Sequence, residues 1–232
     1  YTSDNCWFTG FSHVNLSGVG CPDLGTIITM PTSGELTTDY KLYGSDYMGE
    51  TAQPGYYALK LSKYDIMAEV AATMRSSIER YTYRKGKAHV IVNLGQGLTN
   101  ESGGFIRKVS DTEIEGMRLC GGFCYHSQAV FPQYFVIRVN KIPKEAGFWK
   151  KQPNMTAEAE WDEHAGKYKV YTDYAREMAG DDLGYRFTFD AEDGEQICVQ
   201  MGVSFVSCDN ARQNLDAEQL GCNFDQVSAQ AH

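Results

Sequence analysis

The sequence predicts an all-β fold, a sandwich or a barrel built from many short strands. Short apolar or alternating runs recur about every 8–12 residues, and Gly, Pro, Asn and Asp stand between them. The chain also contains 15 Tyr, 11 Phe and 3 Trp, which are residue types that favour pleated, half-buried surfaces. At 232 residues and 42% hydrophobic content it can form one large β domain or two smaller ones.

Strands are expected where apolar residues alternate or run together between turn signals. In chain order these runs are Thr26–Met30, Tyr56–Leu61, Ile66–Thr73, Ile78–Tyr83, His89–Leu94, Phe105–Val109, Glu113–Leu119, Tyr134–Val139, Glu158–Trp161, Tyr168–Tyr171, Tyr185–Phe189 and Gln196–Val206. The dipeptide Asp193-Gly194 predicts the tight turn of a hairpin between the last two. The acidic residues around this turn lack the order of an EF-hand calcium loop, which indicates a solvated hairpin tip.

The chain changes character after Val206. Ser207–Asn210 offers N-cap residues, Ala211–Leu220 consists of helix-forming residues, and Gly221 ends the pattern. A second helical pattern begins at Phe224. We therefore expect residues 1–207 to form the β domain and residues 208–232 to begin a helical linker towards a helical domain that the chain does not include.

Composition excludes several classes of function. With 21 basic and 30 acidic residues the formal net charge is −9, which argues against nucleic acid or an anionic membrane as a partner. No apolar run approaches the roughly 20 residues of a membrane span. The seven cysteines lack zinc-site spacing, so no metal site is assigned, and disulfides and free thiols both remain open. The glycine-rich stretches lack the Lys-Ser/Thr of a phosphate loop, and no nucleophile elbow occurs.

The segment Gly10–Asp23 is the strongest functional signal. It reads G-F-S-H-V-N-L-S-G-V-G-C-P-D, with three glycines and two serines, and matches the pattern of neither a strand nor a helix. Such a polar segment is expected to run over the surface and to present side chains to a ligand. His13 lies there beside Ser12, Asn15 and Ser17, and several convergent donors and acceptors suit a hydroxyl-rich ligand.

The same segment, continued to Gly25, resembles the G-F-S-H-x-H-L-S-G-x-G-C-x-D-L-G signature of glycoside hydrolase family 92, the exo-acting α-mannosidases. Further matching segments, in the family's order, are Met30–Gly34, Glu50–Tyr57, Arg80–Tyr83, Ile114–Arg118, and Val203–Val206 followed by Asp209–Ala211. The resemblance covers nearly the whole chain.

The resemblance implies a large two-sheet β-sandwich of the galactose-mutarotase type, joined by helices to an (α/α) barrel. It implies inverting, calcium-dependent removal of terminal mannose from α-linked oligosaccharides or N-glycans, with α-1,2 as the expected linkage, by a secreted, periplasmic or cell-surface enzyme. The catalytic acid, base and calcium ligands are expected on the helical domain, so no catalytic or metal residue is assigned here. The residues expected to bind substrate are Phe11, Ser12, His13, Asn15, Leu16, Ser17, Gly18 and Cys21.

The sequence departs from the family pattern at three places. Asn15 stands where the family usually has a second histidine, Glu79 where histidine is common, and Asn93–Gln96 replaces D-L-x-H. Asparagine can bind sugar hydroxyls but cannot carry a proton as histidine can. A degenerate, binding-only member of the family therefore remains an alternative.

Two further hypotheses about the function remain open. One is a carbohydrate-binding module that acts alone, with Trp7 or Trp149 as a stacking platform, and the other is a mutarotase-like enzyme that acts on a free sugar. The helical patterns after Ser207 favour the domain of a larger α-mannosidase. For that enzyme we expect His13→Ala to reduce mannoside turnover far more than stability.

Overall fold

Two antiparallel β-sheets make up most of the computed structural model, which describes residues 6–15, 24–98, 103–121, 130–151, 168–171, 175–219, 221 and 223–231. Side chains from both sheets form one buried cluster between them. The predicted all-β sandwich is therefore confirmed.

The first sheet has ten described strands. In spatial order they are β1 (Trp7–Phe8), β4 (Ser45–Gln53), β5 (Tyr56–Leu61), β6 (Ile66–Ala72), β7 (Ser76–Tyr83), β16 (Glu195–Ser204), β11 (Val130–Val139), β10 (Glu113–Gly121), β9 (Gly104–Lys108) and β14 (Glu177–Gly180). The second sheet has six, namely β13 (Tyr168–Val170), β12 (Glu145–Lys151), β15 (Leu183–Ala191), β8 (Gly86–Asn93), β3 (Leu24–Ser33) and β2 (Phe11–Asn15). The described helices are α1 (Tyr40–Tyr43), α2 (Cys208–Gln219) and α3 (Phe224–Ala231).

Most predicted strands occur within a few residues of their expected positions, and β5 has the expected bounds. The run Glu158–Trp161 lies outside the described residues. Strands β1, β2, β4, β12 and β14 and the short helix α1 were not predicted, since none of them follows a clear apolar run or alternation.

Strand β7 shows how alternation sorts side chains between the two faces of the ten-stranded sheet. Glu79, Tyr81 and Tyr83 are fully or almost fully buried, and both tyrosines belong to the cluster between the sheets. Ile78 and Arg80 lie on the opposite face, where Ile78 packs with Phe224 of α3 and the Arg80 guanidinium lies 4.1 Å from the Phe224 ring centre.

The expected hairpin at Asp193-Gly194 is wrong. Strand β15 pairs with β8 and β12 in the six-stranded sheet, whereas β16 pairs with β7 and β11 in the other sheet. Gly194 has a φ of 76°, and the Glu195 N–H donates to the Glu192 carbonyl at 3.1 Å. An Asp-Gly pair provides a tight reversal, but it does not determine whether the two strands pair with each other or enter facing sheets.

The two C-terminal helices pack on the outer face of the ten-stranded sheet. Helix α2 begins where Ser207 Oγ accepts the Asn210 N–H at 3.0 Å, as the N-cap signal predicts. Ala211 and Leu215 bury against Val136 of β11. Gly202 permits this close approach, because a Cβ there would lie 2.4 Å from the Ala211 carbonyl oxygen. The assignment of residues 208–232 to a linker stays a prediction.

Candidate functional site

Strand β2 carries the described half of the polar motif and lies at the edge of the six-stranded sheet beside β3. Phe11 and His13 are buried and Ser12 and Asn15 are exposed, so the expectation that no strand forms here is wrong for these residues. The alternation was not recognised in the sequence because the buried position is occupied by a polar histidine. A buried histidine requires hydrogen-bond partners, which come from distant parts of the chain. The remaining predicted site residues, Leu16, Ser17, Gly18 and Cys21, lie outside the described residues.

Phe11 anchors the start of β2 in an aromatic cluster. Its ring centre lies 4.8 Å from that of Phe8, 6.2 Å from Tyr81 in a stacked arrangement and 6.3 Å from Tyr57. Aromatic pairs of this kind add about 0.5–1.5 kcal/mol each beyond the burial of their area. Phe11 therefore holds the strand against the core, and only a small part of its surface remains available to a ligand.

Ser12 and Asn15 form the exposed side of β2. The Ser12 hydroxyl donates to Asn15 Oδ1 at 3.1 Å, and Asn15 Nδ2 donates to the Ser12 carbonyl at 3.3 Å. A hydroxyl and an amide together offer several hydrogen-bond donors and acceptors, which suit a hydroxylated ligand.

His13 points inward, and both of its ring nitrogens contact other parts of the protein. Nδ1 lies 2.7 Å from the carbonyl oxygen of Ile27, and Nε2 lies 3.0 Å from Glu79 Oε1. A sugar contact through either nitrogen would therefore have to replace one of these two partners. The expected contact between His13 and the substrate stays a prediction.

Glu79 is a fully buried carboxylate on the facing sheet. Its oxygens accept hydrogen bonds from the Thr29 hydroxyl at 2.7 Å and from the Tyr81 hydroxyl. Burial, and then the charge of Glu79, raise the pKa of Tyr81 well above its ordinary value, so Tyr81 keeps its proton and remains a donor. Removing one partner of a buried hydrogen-bonded pair leaves the other partner unsatisfied, which costs about 1–3 kcal/mol, and more for a charged group. We therefore expect His13→Ala to lower stability, which the sequence alone did not indicate.

The backbone around His13 is strained. Val14 and Ile27 have φ values of 56° and 54°, in the left-handed region that β-branched residues rarely adopt. Each such conformation costs about 1–3 kcal/mol and persists only where surrounding contacts enforce it. The pairing of β2 with β3 also shifts register between Phe11 and His13. The segment is therefore held in its shape by tertiary contacts.

A cavity of about 520 Å³ opens beside this segment. Strand β2 forms one side, and the other sides come from the ten-stranded sheet and the turn between β6 and β7. The lining residues are Phe11, Ser12, His13, Val14, Asn15, Tyr57, Val70, Ala72, Thr73, Met74, Arg75, Ser76, Ser77, Met201 and Val203. Among these described lining residues there is no carboxylate. This wall can bind and orient a ligand, but it does not supply a carboxylic general acid or base.

Sequence reasoning assigned no role in the site to three residues of β7 behind the cavity. Glu79 and Tyr81 lie on one face of the strand predicted at Ile78–Tyr83. Ser77, one residue before the predicted start, lies on the same face of the observed strand. Within the described part of the chain, the buried Ser77 hydroxyl has no hydrogen-bond partner, and it borders the cavity. What the sequence could not show is that this face meets His13, 66 positions earlier in the chain.

Three further features of the described residues concern metal binding, membrane crossing and the tryptophans. No group of three or more His, Cys, Asp or Glu side chains within them is arranged to hold a metal ion. In the same part of the chain, none of the helices has the length and apolar character that a bilayer crossing requires. Trp149 is fully buried and cannot serve as the stacking platform suggested for a binding module, whereas Trp7 is half exposed.

Comparison with known proteins agrees with this architecture. The family described as Glycosyl hydrolase family 92 N-terminal domain matches residues 1–204. The family GH92 alpha-mannosidase BT3965 from Bacteroides thetaiotaomicron is similar with a TM-score of 0.83 and 27% identity, over 100% of this chain and 31% of that one. Its complex with mannoimidazole gives a TM-score of 0.83 and 26% identity, over 100% and 30%. No curated protein sequence matches the chain.

A more distant structure shows the same fold. The family GH92 inverting mannosidase BT2199 from Bacteroides thetaiotaomicron VPI-5482 has a TM-score of 0.79 and 20% identity, over 100% of this chain and 28% of that one. The chain thus spans less than a third of the length of these enzymes. The sandwich and the G-F-S-H motif both lie within the matched residues. The chain belongs to glycosyl hydrolase family 92 and corresponds to the N-terminal domain of that family.

Proposed function

We propose that the protein carrying this chain removes terminal mannose from α-linked mannosides, with α-1,2 as the preferred linkage and with inversion at the anomeric carbon. The observation that carries the proposal is the family match over residues 1–204, supported by the likeness to a solved family GH92 alpha-mannosidase. Mannose-containing oligosaccharides or N-glycans would be the substrates. The enzyme would act in the periplasm, at the cell surface or outside the cell.

Within such an enzyme the described strand β2 forms one wall of the sugar pocket. The exposed Ser12 and Asn15 are the described residues best placed to bind sugar hydroxyls, since their side chains carry donors and acceptors and border the cavity. Phe11 and His13 support them from inside. We propose that Leu16, Ser17, Gly18 and Cys21 also bind the substrate.

The chemistry would come from the rest of the protein. Inverting glycosidases use two carboxyl groups about 6.5–9.5 Å apart, one as general acid and one as general base that activates water. The described lining of the cavity offers none. The role of this domain is then to bind and orient the sugar, so that productive geometry is reached when the helical catalytic domain supplies the carboxylates.

Calcium is part of the proposal but does not fit the residues described here. It would be expected to bind several oxygen ligands, and no cluster of acidic, histidine or cysteine side chains in the described ranges is arranged to hold it. We place the ligands of the proposed calcium ion in the remainder of the enzyme.

The test is hydrolysis of α-1,2-, α-1,3- and α-1,6-linked mannobiose by the full-length protein. We expect fastest release of mannose from the α-1,2 substrate, loss of activity after chelation and recovery with calcium. Proton NMR during the first minutes should show β-mannose as the initial product. The proposal would be refuted if none of the three substrates released mannose.

Two variants test the role of β2. Ser12→Ala and Asn15→Ala each remove about one hydrogen bond to the sugar, so we expect kcat/KM to fall about tenfold, which corresponds to about 1.4 kcal/mol. Stability should change little because both side chains are exposed. Ser62→Ala is the matched control, since Ser62 is an exposed serine outside the cavity lining. Unchanged kcat/KM in both variants would show that Ser12 and Asn15 of β2 do not bind the sugar.

A further inference from the structure

We infer that Glu79 is a positioning residue, which holds His13 and thereby fixes the strained strand β2 in the shape that presents Ser12 and Asn15 to the cavity. The effect on catalysis rests on the proposed mannosidase function. The effect on the shape of β2 does not.

The hydrogen-bond count ties His13 and Glu79 into one unit. The Ile27 carbonyl can only accept, so His13 Nδ1 carries a hydrogen and donates to it at 2.7 Å. His13 Nε2 and Glu79 Oε1, 3.0 Å apart, then share one further proton. Whichever atom holds that proton, the pair has no net charge. Loss of either residue would leave the other buried in the core without its partner.

Glu79 is itself fixed by the sandwich. Thr29 comes from β3 of the six-stranded sheet, and Tyr81 lies two residues along β7 from Glu79 on the same face. Both hydroxyls bond to the carboxylate, and the side chains of Glu79 and Tyr81 are fully buried. The carboxylate therefore has a defined position from which it can orient the imidazole.

His13 lies between the two strained positions. It precedes Val14 directly, and it binds the carbonyl of Ile27, and both of these residues have left-handed φ values. Without Glu79 the ring would lose one of its two anchors, and the bond to Ile27 would have to hold the segment alone. Relaxation of Val14 would then move Asn15, which follows it, and with it the exposed Ser12–Asn15 pair.

The experiment uses Glu79→Ala, Glu79→Gln and Tyr81→Phe in the full-length protein, with Tyr83→Phe as the matched control. Tyr83 is buried on the same face of β7, but its hydroxyl donates to the His89 carbonyl at 2.8 Å. Tyr83→Phe thus removes one buried hydrogen bond that involves neither Glu79 nor His13. All activities are normalised to folded protein and measured well below the unfolding temperature.

We expect Glu79→Ala to lower kcat/KM on an aryl α-mannoside ten- to a hundredfold and Tyr81→Phe three- to tenfold. Tyr83→Phe should stay within twofold of the wild type. Glu79→Gln should stay within about threefold, because its amide can donate to His13 Nε2 while its oxygen accepts from Tyr81. Should Glu79→Ala fail to fold, the two tyrosine variants decide. Equal kcat/KM for both of them, or a glutamine variant as impaired as alanine, would overturn the inference.

A crystal structure of Glu79→Ala or Tyr81→Phe separates this inference from the proposed function. We expect the His13 ring to have left the Ile27 carbonyl, and residue 14 to have left the left-handed region, in at least the alanine variant. An unchanged β2 in both variants would overturn the positioning role. If the wild-type protein hydrolyses no mannoside, the proposed function fails, and the structural comparison still decides the role of Glu79.

Discussion

Glu218 on helix α2 is the residue whose removal should loosen the helix from the sheet. Its carboxylate accepts the Thr73 hydroxyl at 2.5 Å, the Ser76 hydroxyl at 2.8 Å, and the backbone N–H and Nε of Arg75, each at 3.0 Å. Glu218 is only 14% exposed, whereas Arg75 is 54% exposed. One helix side chain therefore holds the whole turn between β6 and β7, which also borders the cavity.

The cost of Glu218→Ala follows from these contacts. Each well-buried bond contributes about 1 kcal/mol and the exposed ion pair with Arg75 contributes little. Thr73 and Ser76 still bond to each other at 2.6 Å after the change, which offsets part of the loss. We expect the free energy of unfolding to fall by about 2 kcal/mol, which corresponds to a decrease in Tm of roughly 4–8 °C for a domain of this size.

The pH dependence of this contribution has a defined sign. Burial raises the pKa of Glu218, but the hydrogen bonds from Thr73, Arg75 and Ser76 outweigh it, and the pKa lies below its ordinary value of 4.5. The stabilisation is therefore complete above about pH 4.5 and is lost as the pH falls through the lowered pKa. The difference in Tm between the wild type and Glu218→Gln should shrink accordingly on acidification.

Thermal unfolding followed by circular dichroism, at pH 7 and at a series of pH values below 4.5, provides the measurement. Glu192→Ala is the control, because Glu192 is 77% exposed and its carboxylate pairs with the exposed Lys85 at 3.2 Å. Its loss should change the free energy of unfolding by less than about 0.5 kcal/mol. The reasoning is refuted if Glu218→Ala and Glu192→Ala give the same Tm.

The remaining predictions concern the core and one thiol. Gly184→Ala should destabilise the protein by about 3 kcal/mol in urea unfolding, because the new Cβ would lie 2.2 Å from Trp149 Cζ2, and a wild-type midpoint would contradict this. Leu59→Ala, at a fully buried position, should lower stability by about 2–5 kcal/mol with an unchanged m-value. Burial raises the pKa of Cys208 to about 11, so peptide mapping at pH 8 should show that iodoacetamide alkylates it at least tenfold more slowly than the exposed Cys6, and equal rates would disprove protection.

The strands that the sequence predicted well share one property. In β5 and β16 apolar residues mark the buried face locally, so burial can be derived from neighbours one or two positions away. In β2 the buried position is His13, whose burial depends on Glu79 from a distant strand. No local pattern contains that information, and the strand was therefore missed.

The same limit applies to the candidate site. Composition pointed to Ser12 and Asn15 correctly as exposed polar residues of the motif. It could not show that Ser77 and Glu79 lie behind them, because the packing of β2 against the facing sheet is a long-range property. The hairpin predicted at Gly194 was wrong for a related reason. The local geometry of this turn is common to hairpins and to crossings between sheets.

The position of β16 has a consequence for biosynthesis. It lies between β7 and β11, and of the described strands it alone joins the two halves of the ten-stranded sheet. About 110 residues separate Tyr83 from Glu195, which a ribosome needs roughly 5–20 s to add. Throughout that interval β7 presents an open edge of unpaired backbone groups, the feature that invites aggregation. The ten-stranded sheet can therefore be completed only after β16, the last of the described strands in chain order, has been synthesised.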